Sequence, residues 1–364
     1  MVIPGADAAT GAAASRAPDN VRMQQRISRL TTEGGAELAF ATAGAGRPLL
    51  YVSGWVGHLQ LSWEIPEERA YFESLAQGCL LVRYDRAGCG LSSPSDRPPS
   101  LAFELEELDA VAAGVGPAPF DLMGSSMGAP IAVAWAGEHP ERVRRLVLYG
   151  GWRSGAELSP PSARDHILAL VESHWGLGSD VLTDIFAPDA HATTREEFGR
   201  YQRASSDAAT ARALLELSYR LDVGDLLGRV RAPTLVVHRD HDRAAPVAQA
   251  RALAEGIPGA ELVVLPGRSH LPYAGDAHEL VATVRRFLGL RASRRGAGTL
   301  TERQTEVAAL IADGQTNREI GDRLGIDERS AEGHVERIRL RLGFRSRAQV
   351  AAWYAAQREG GGRR

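Results

Sequence analysis

Lysine is absent from this 364-residue chain, and all 42 of its basic residues are Arg. That bias looks like a GC-rich genome and carries little functional information by itself. Cysteine is nearly as scarce. Cys79 and Cys89 are the only two, too few for a disulfide framework or a zinc site, so a reducing cytoplasm is the expected setting. No apolar run approaches the ~18 residues needed to cross a bilayer, and no membrane role is expected. Residues 1–25 are rich in Ala, Gly and Pro but lack a basic start and a continuous apolar stretch, so they read as a disordered leader and not as a signal peptide. What is present is ordinary for a globular protein, with 44% hydrophobic and 24% charged residues. The length allows two or three domains at roughly 100–200 residues each.

The net charge of −3 hides an asymmetry. Residues 1–290 hold 27 Arg against 35 acids, whereas residues 291–364 hold 15 Arg against 10 acids. A basic tail on an acidic body raises the expectation of nucleic-acid binding.

Short apolar runs alternate with longer helical patterns through residues 26–290, the signature of a mainly parallel sheet flanked by helices. Candidate strands are Pro48 to Ser53, Leu80 to Tyr84, Phe120 to Gly124, Arg145 to Gly150, Thr234 to His238 and Leu262 to Leu265. Ile27 to Thr32 and Ala36 to Ala43 look like a hairpin leading into the sheet. From about 152 to 230 the rhythm breaks into helical pieces, Ala163 to His174, Arg195 to Ser205 and Ala208 to Leu221, which reads as a lid over the sheet. A helix from about Asp276 to Leu290 closes the body. The basic, glycine-containing segment 291–298 reads as a linker, residues 299–358 as an all-α domain of four helices, and 359–364 as a tail.

The strongest local signal in the body is Gly124-Ser125-Ser126-Met127-Gly128, a G-x-S-x-G between the apolar run FDLM and the helical run APIAVAWAGEH. Glycine on both sides lets a strained turn lift the Ser126 hydroxyl clear of a sheet. A serine hydroxyl is a poor nucleophile at neutral pH, so the chemistry also needs a histidine base and a carboxylate that holds its tautomer. Asp242 and His270 follow in that order, each just past an apolar strand. Loops at the carboxyl ends of such strands converge on one crevice. Asp240 is the alternative carboxylate; Asp242 is favoured because it precedes Pro246 by four residues. No metal spacing links the other histidines, and no cofactor is expected.

Residues 26–290 resemble the α/β-hydrolase fold family. Ser53-Gly54-Trp55 stands where that family usually has His-Gly-x, and Asp85-Arg86-Ala87-Gly88-Cys89-Gly90-Leu91-Ser92 is similar to its D-x-R-G-x-G-x-S loop. The resemblance implies an oxyanion hole formed by the backbone N–H groups of Trp55 and Met127. A serine nucleophile argues against the dehalogenase and epoxide hydrolase branches, while hydrolysis of an ester, thioester, lactone or carbon–carbon bond remains open.

In the tail, Thr301 with Gln304 and Thr316 with Glu319 form two capping boxes, and Asp327 suits the N-cap of a third, longer helix. Val335, Ile338 and Leu342 fall on one face of it, and Arg337, Arg339 and Arg341 make it basic. Two short helices, a tight glycine turn and a longer basic helix form the pattern that docks in a major groove. The runs LTERQTEV, GQTNREIGDRL and DERSAEGHV resemble the LuxR-type helix-turn-helix family over nearly sixty residues. Gly321 stands where that family has Ala and, inside a helix, would cost up to about 1 kcal/mol relative to it. The resemblance places Glu332, Gly333 and Glu336 at base-reading positions, with cytosine amino groups as the target of the acids. Arg329, Ser330, Arg337, Arg341, Arg345 and Ser346 fall near phosphates. It also implies a homodimer through the last helix, at Val350, Ala351 and Tyr354. Together these readings describe a bacterial DNA-binding regulator whose hydrolase domain binds, and can process, a small acyl ligand. The alternative is a serine esterase or lactonase whose tail serves assembly.

Overall fold

The computed structural model describes residues 23–190, 192–290, 300, 302–342, 344 and 346–361. The chain divides into two compact units, Met1–Arg291 and Ala292–Arg364. The expected linker 291–298 and residues 1–22 of the expected leader lie outside the described residues. Gln25, also assigned to the leader, is tied down: its Nε2 donates to Leu59 O at 2.8 Å and its Oε1 accepts from Arg83 at 2.7 Å.

The N-terminal unit is built on eight strands: β1 (Arg26–Thr31), β2 (Glu37–Gly44), β3 (Pro48–Val52), β4 (Leu80–Tyr84), β5 (Phe120–Ser125), β6 (Val143–Tyr149), β7 (Thr234–Arg239) and β8 (Glu261–Leu265). They form one sheet in the order β1-β2-β4-β3-β5-β6-β7-β8. The β1–β2 and β2–β4 pairings are antiparallel and the rest parallel. Helices cover both faces, which is why β4, β5 and β7 are buried at every position. The strand period of two sends Leu50 and Val52 into one apolar cluster and Leu49 and Tyr51 into the other. Side chains cap the covering helices locally. Ser100 accepts the Phe103 N–H at 3.2 Å to start Leu101–Val115, and Asp276 accepts the Glu279 N–H at 3.1 Å to start Ala277–Leu288.

Between β6 and β7 the chain forms the helices Pro161–Ser173, Trp175–Phe186, Ala192–Ser205 and Ala208–Arg220. Sequence reading did not separate Trp175–Phe186, because Gly176 and Gly178 obscure its pattern. Gly178 is a packing residue: a Cβ there would lie 2.9 Å from Val171 Cα on the preceding helix.

Among its described residues the C-terminal unit has four helices, Glu302–Ala312, Asn317–Leu324, Glu328–Leu342 and Arg347–Gly361. Val307, Ile311, Ile320, Ala331, Val335, Ile338 and Val350 form its buried core. The Thr316–Glu319 capping box is present in full, and Asp327 accepts the Ser330 N–H at 2.8 Å. Thr301 lies outside the described residues. Three expectations need correction. Gly321 is not a penalty: the Ile326 N–H bonds to Gly321 O at 3.0 Å, and a Cβ at 321 would sit 2.7 Å from Ile326 O, so alanine there would force the turn apart. Val350 is fully enclosed by its own unit, with Ala351 and Tyr354 packed partly buried against the same core, which removes Val350 from any dimer seam. The last helix runs on to Gly361, past the expected end at 358.

Glu107 is among the buried acids of the N-terminal unit that make folding sensitive to pH. Glu107, on the helix Leu101–Val115, accepts the Ala87 N–H at 2.9 Å, while its Oε2 is buried without a partner. Burial and the neighbouring Glu104 push its carboxyl up to about 8. Between the ordinary carboxyl range and about 8 the folded chain holds a proton that the unfolded chain has lost, so stability falls as pH rises through that window. Glu107→Gln is expected to make the decline shallower by about one proton, ~1.4 kcal/mol per pH unit. Urea unfolding midpoints from pH 5 to 8 check this, and a slope equal to that of wild type would show that Glu107 ionises normally.

Candidate functional site

The turn after β5 carries Ser126 at φ 54°, the one non-glycine residue with a left-handed backbone among the described residues. Such a conformation costs about 1–3 kcal/mol and persists only where the surroundings over-determine it. Here two close approaches do so. A Cβ on Gly124 would lie 2.4 Å from Gly128 O, and a Cβ on Gly128 would lie 2.2 Å from Val52 O. The helix Gly128–Glu138 therefore sits against β3 with no room for side chains at either position, and the turn between is forced to project Ser126.

Ser126, His270 and Asp242, each from the carboxyl end of a different strand, meet there. His270 Nε2 is 2.7 Å from Ser126 Oγ, and His270 Nδ1 is 2.7 Å from Asp242 Oδ2. Burial alone would raise the Asp242 carboxyl, but His270 beside it, with further help from His238 and the Ala244 N–H, holds it below the usual carboxylate range. An ionised carboxylate only accepts, so His270 carries its proton on Nδ1 and leaves Nε2 to accept from the Ser126 hydroxyl. Asp240 faces elsewhere. It is paired with His241 at 2.9 Å and accepts the Gly267 N–H at 2.9 Å. Gly150, at φ 60°, passes so close to the imidazole that a Cβ would lie 3.1 Å from His270 Cε1.

Arg86 of the D-x-R-G-like loop has a structural task that no motif announces. It is 2% exposed, pairs with Glu104 at 2.7 Å, and donates to Ser53 O at 2.9 Å and to Gly54 O. In a trans peptide the C=O and the following N–H point opposite ways. Arg86, by holding Gly54 O, therefore turns the Trp55 N–H away from itself. Among the described residues neither the Trp55 nor the Met127 N–H has a backbone partner outside helices and strands. Losing Glu104 alone would strand a buried guanidinium at about 3–5 kcal/mol.

Two more residues were not legible. His238 is fully buried behind Asp242, 3.7 Å from Oδ2, with Nε2 2.8 Å from Ala245 O. Burial holds its pKa below the ordinary histidine value despite Asp242. Phe186, the last residue of the second lid helix, accepts the His270 N–H at 2.7 Å and holds its ring 5.5 Å from the imidazole, tilted by 31°. The lid thus anchors the histidine loop. No local motif announces either role.

On the third helix of the C-terminal unit, Arg329, Glu332, Glu336 and Arg337 are exposed and Gly333 and Ser330 half-buried. A Cβ on Gly333 would lie 3.7 Å from both Arg337 Nη atoms, so the guanidinium folds back over the glycine. Glu336 pairs with Arg339 at 2.7 Å and the Ser330 hydroxyl donates to Asp327 at 2.8 Å. Ser346 caps the fourth helix, its Oγ accepting the Gln349 N–H at 3.3 Å. Arg341 lies within the third helix, and Arg345 lies outside the described residues. Arg347, which sequence reading passed over, ties the fourth helix to the second, donating to Asn317 Oδ1 at 2.7 Å and to Gln315 O.

A sheet of this topology bearing a serine on a strained strand-to-helix turn defines an α/β-hydrolase-type protein, here joined to a four-helix unit. The profile for the alpha/beta hydrolase fold matches residues 47–277, and that for bacterial regulatory proteins of the luxR family matches residues 298–354. The chain belongs to the alpha/beta hydrolase fold family and carries a C-terminal domain of the luxR family. It is 26% identical over 261 residues to pyrrolizixenacetamide deacetylase of Xenorhabdus hominickii, spanning 70% of this chain and 96% of that one. It is 32% identical over 224 residues to 2-hydroxymuconate semialdehyde hydrolase of Pseudomonas putida, spanning 57% and 76%. Among solved structures, an enol-lactonase from Burkholderia xenovorans LB400 superposes with a TM-score of 0.61 at 22% identity, covering 72% of this chain and all of that one; this likeness is one of fold.

The pairing of Asp242, and not Asp240, with His270 leads to a direct comparison. Asp242→Asn is expected to lower kcat for a small ester by roughly 10³–10⁴, since an amide favours the wrong imidazole tautomer. Asp240→Asn should stay within a few-fold of wild type. Steady-state kinetics on the two variants decide the matter, and a larger loss from the second would reverse the assignment.

Proposed function

We propose that this protein is a bacterial transcription regulator whose hydrolase domain binds and hydrolyses a small ester, lactone or related acyl ligand, and whose luxR-type domain binds double-stranded DNA. The unbroken hydrogen-bond path from Ser126 through His270 to Asp242 carries the first half. Ser126 attacks the acyl carbon while His270 takes its proton, and Asp242 stabilises the imidazolium. The Trp55 and Met127 N–H groups receive the oxyanion. His270 then protonates the leaving group and afterwards activates the water that releases the acyl group. Two relatives, a deacetylase and, in Chromobacterium violaceum, a pimeloyl-[acyl-carrier protein] methyl ester esterase, support acyl transfer to water.

In the DNA-binding half, Glu332, Gly333 and Glu336 face base edges, and Arg329, Ser330, Arg337, Arg341, Arg345 and Ser346 hold phosphates. The protein works in the cytoplasm as a homodimer. A seam on the fourth helix uses Ala351 and Tyr354, which stay partly exposed, without Val350, which is enclosed.

Hydrolysis of a small aryl ester is expected to fall by several orders of magnitude in Ser126→Ala, leaving only the ~10³–10⁴ over water that binding and the oxyanion hole supply. Failure of wild type to act on esters, thioesters and lactones, or to react with a fluorophosphonate, would remove the catalytic part of the reading.

For DNA, Arg337→Ala should weaken binding to all duplexes and flatten the salt dependence by about one unit, whereas Glu332→Ala should relax preference at one base pair. Salt titrations on a selected duplex and its single-base variants test both. No salt-dependent duplex binding by wild type would favour the reading in which the tail serves assembly.

A further inference from the structure

Two chambers open from the Ser126–His270 pair. One, of about 90 Å³, runs under the lid between Trp152, Ile167, Leu182, Ile185 and Leu215. The other, also of about 90 Å³, turns toward the helix Pro66–Ala76, where Glu68, Arg83, Tyr201 and Tyr273 line it. Trp55 and Phe186 border both.

The second chamber is lined by polar groups whose hydrogen-bonding capacity folding leaves partly unmet. Glu68 is 8% exposed and Tyr273 7% exposed, and beyond the interaction of the two side chains with each other Glu68 Oε2 and the Tyr273 hydroxyl have no hydrogen-bond partner. Stranding such groups is costly, and native interiors rarely do so without a reason. Neighbouring groups are already engaged. Arg83 donates to Ser62 Oγ at 2.9 Å and to Gln25 Oε1 at 2.7 Å, and its guanidinium lies 3.8 Å over the Phe72 ring. The Tyr201 oxygen accepts the His58 N–H at 3.1 Å. Asp85, which accepts the N–H groups of Leu59 and Leu91, answers the charge of Arg83. Burial pushes the Glu68 carboxyl up to about 8 against the pull of Arg83, so near neutrality it is an uncharged donor and acceptor. With Arg83 balanced and Glu68 neutral, a charged ligand group would leave an uncompensated buried charge.

We propose that this chamber is a subsite for a compact, uncharged hydrogen-bonding group of the substrate, a hydroxyl or amide, which pairs with Glu68 and Tyr273 while an apolar chain across the scissile bond lies under the lid. The proposal rests on Ser126 as the nucleophile and narrows its substrate to a short amphiphilic ester.

Two isosteric pairs test it from either side of the ester: butyl 3-hydroxypropanoate against butyl butanoate, and 2-hydroxyethyl pentanoate against propyl pentanoate. In wild type one pair should favour the hydroxylated member by about tenfold or more in kcat/KM, and monobutyl succinate should be a poor substrate. Tyr273→Phe and Glu68→Leu should bring that ratio toward one while the plain esters are still cleaved. Glu68→Gln, which keeps a neutral donor and acceptor, should preserve it. Ratios near one in wild type for both pairs, or a ratio untouched in Tyr273→Phe and Glu68→Leu, would overturn the subsite while leaving the hydrolase standing. If no ester is cleaved, the hydrolase reading fails. The subsite is then judged by calorimetric affinity of Ser126→Ala for the matching ketones, with a methylene in place of the ester oxygen, and equal affinity within both pairs would end it.

Discussion

The approach of the helix Gly128–Glu138 to β3 is the constraint from which the rest of the site follows. Backbone carbonyls of Val52 and Ser53 stand where side chains at Gly128 would be, so the chain turns out of β5 in a space that admits only hydrogen at positions 124 and 128. The left-handed backbone of Ser126 follows from that geometry. Its strain is held by a helix buried from Gly128 to Ala136 and by strands buried on both faces, so the hydroxyl is presented in one place. Arg86 extends the same logic to the loop after β3. Paired with Glu104 and donating to two successive carbonyls, it sets the direction of the peptides that face the serine.

The lid is part of this machinery as well as a cover. Phe186 ends a lid helix, accepts the His270 N–H and borders both chambers. Displacement of that helix would therefore move the imidazole and reshape the pocket together. A ligand that fills the chambers can bias the position of Phe186 only through contacts that differ between two arrangements. By linkage, any effect of ligand on DNA binding must be matched by an equal effect of DNA on ligand affinity. This is the quantity that joins the two halves of the proposed function.

The C-terminal unit shows how a small domain assigns its few apolar residues. A small cluster of buried hydrophobic residues makes its core among the described residues, and Val350 is spent there. The turn between the second and third helices depends on glycine twice, at Gly325 with φ 66° and at Gly321 under the Ile326 carbonyl. Arg347, tied to Asn317 and Gln315, joins the last helix to the start of the second. The Arg residues of this unit thus divide between holding the fold and facing solvent, which charge counting does not separate.

Local patterns were enough to read most of the strands, the serine turn and the helix caps, because each depends on neighbours in sequence: apolar runs for buried strands, glycines around Ser126, Thr316 three residues before Glu319. The order of Ser126, Asp242 and His270 was legible for a related reason, since parallel strands bring their carboxyl ends to one edge. Sequence left Asp240 as an alternative, and only the loop geometry after β7 turns Asp240 toward His241 and Gly267 and sets Asp242 beside His270. The roles of His238, Arg86, Phe186 and Arg347, the enclosure of Val350, the need for Gly321 and the polar chamber at Glu68 and Tyr273 arise from contacts between segments distant in sequence or across a turn. Such contacts leave no periodicity or spacing to read, because what defines them is which surfaces the folded chain brings within a few ångströms of one another.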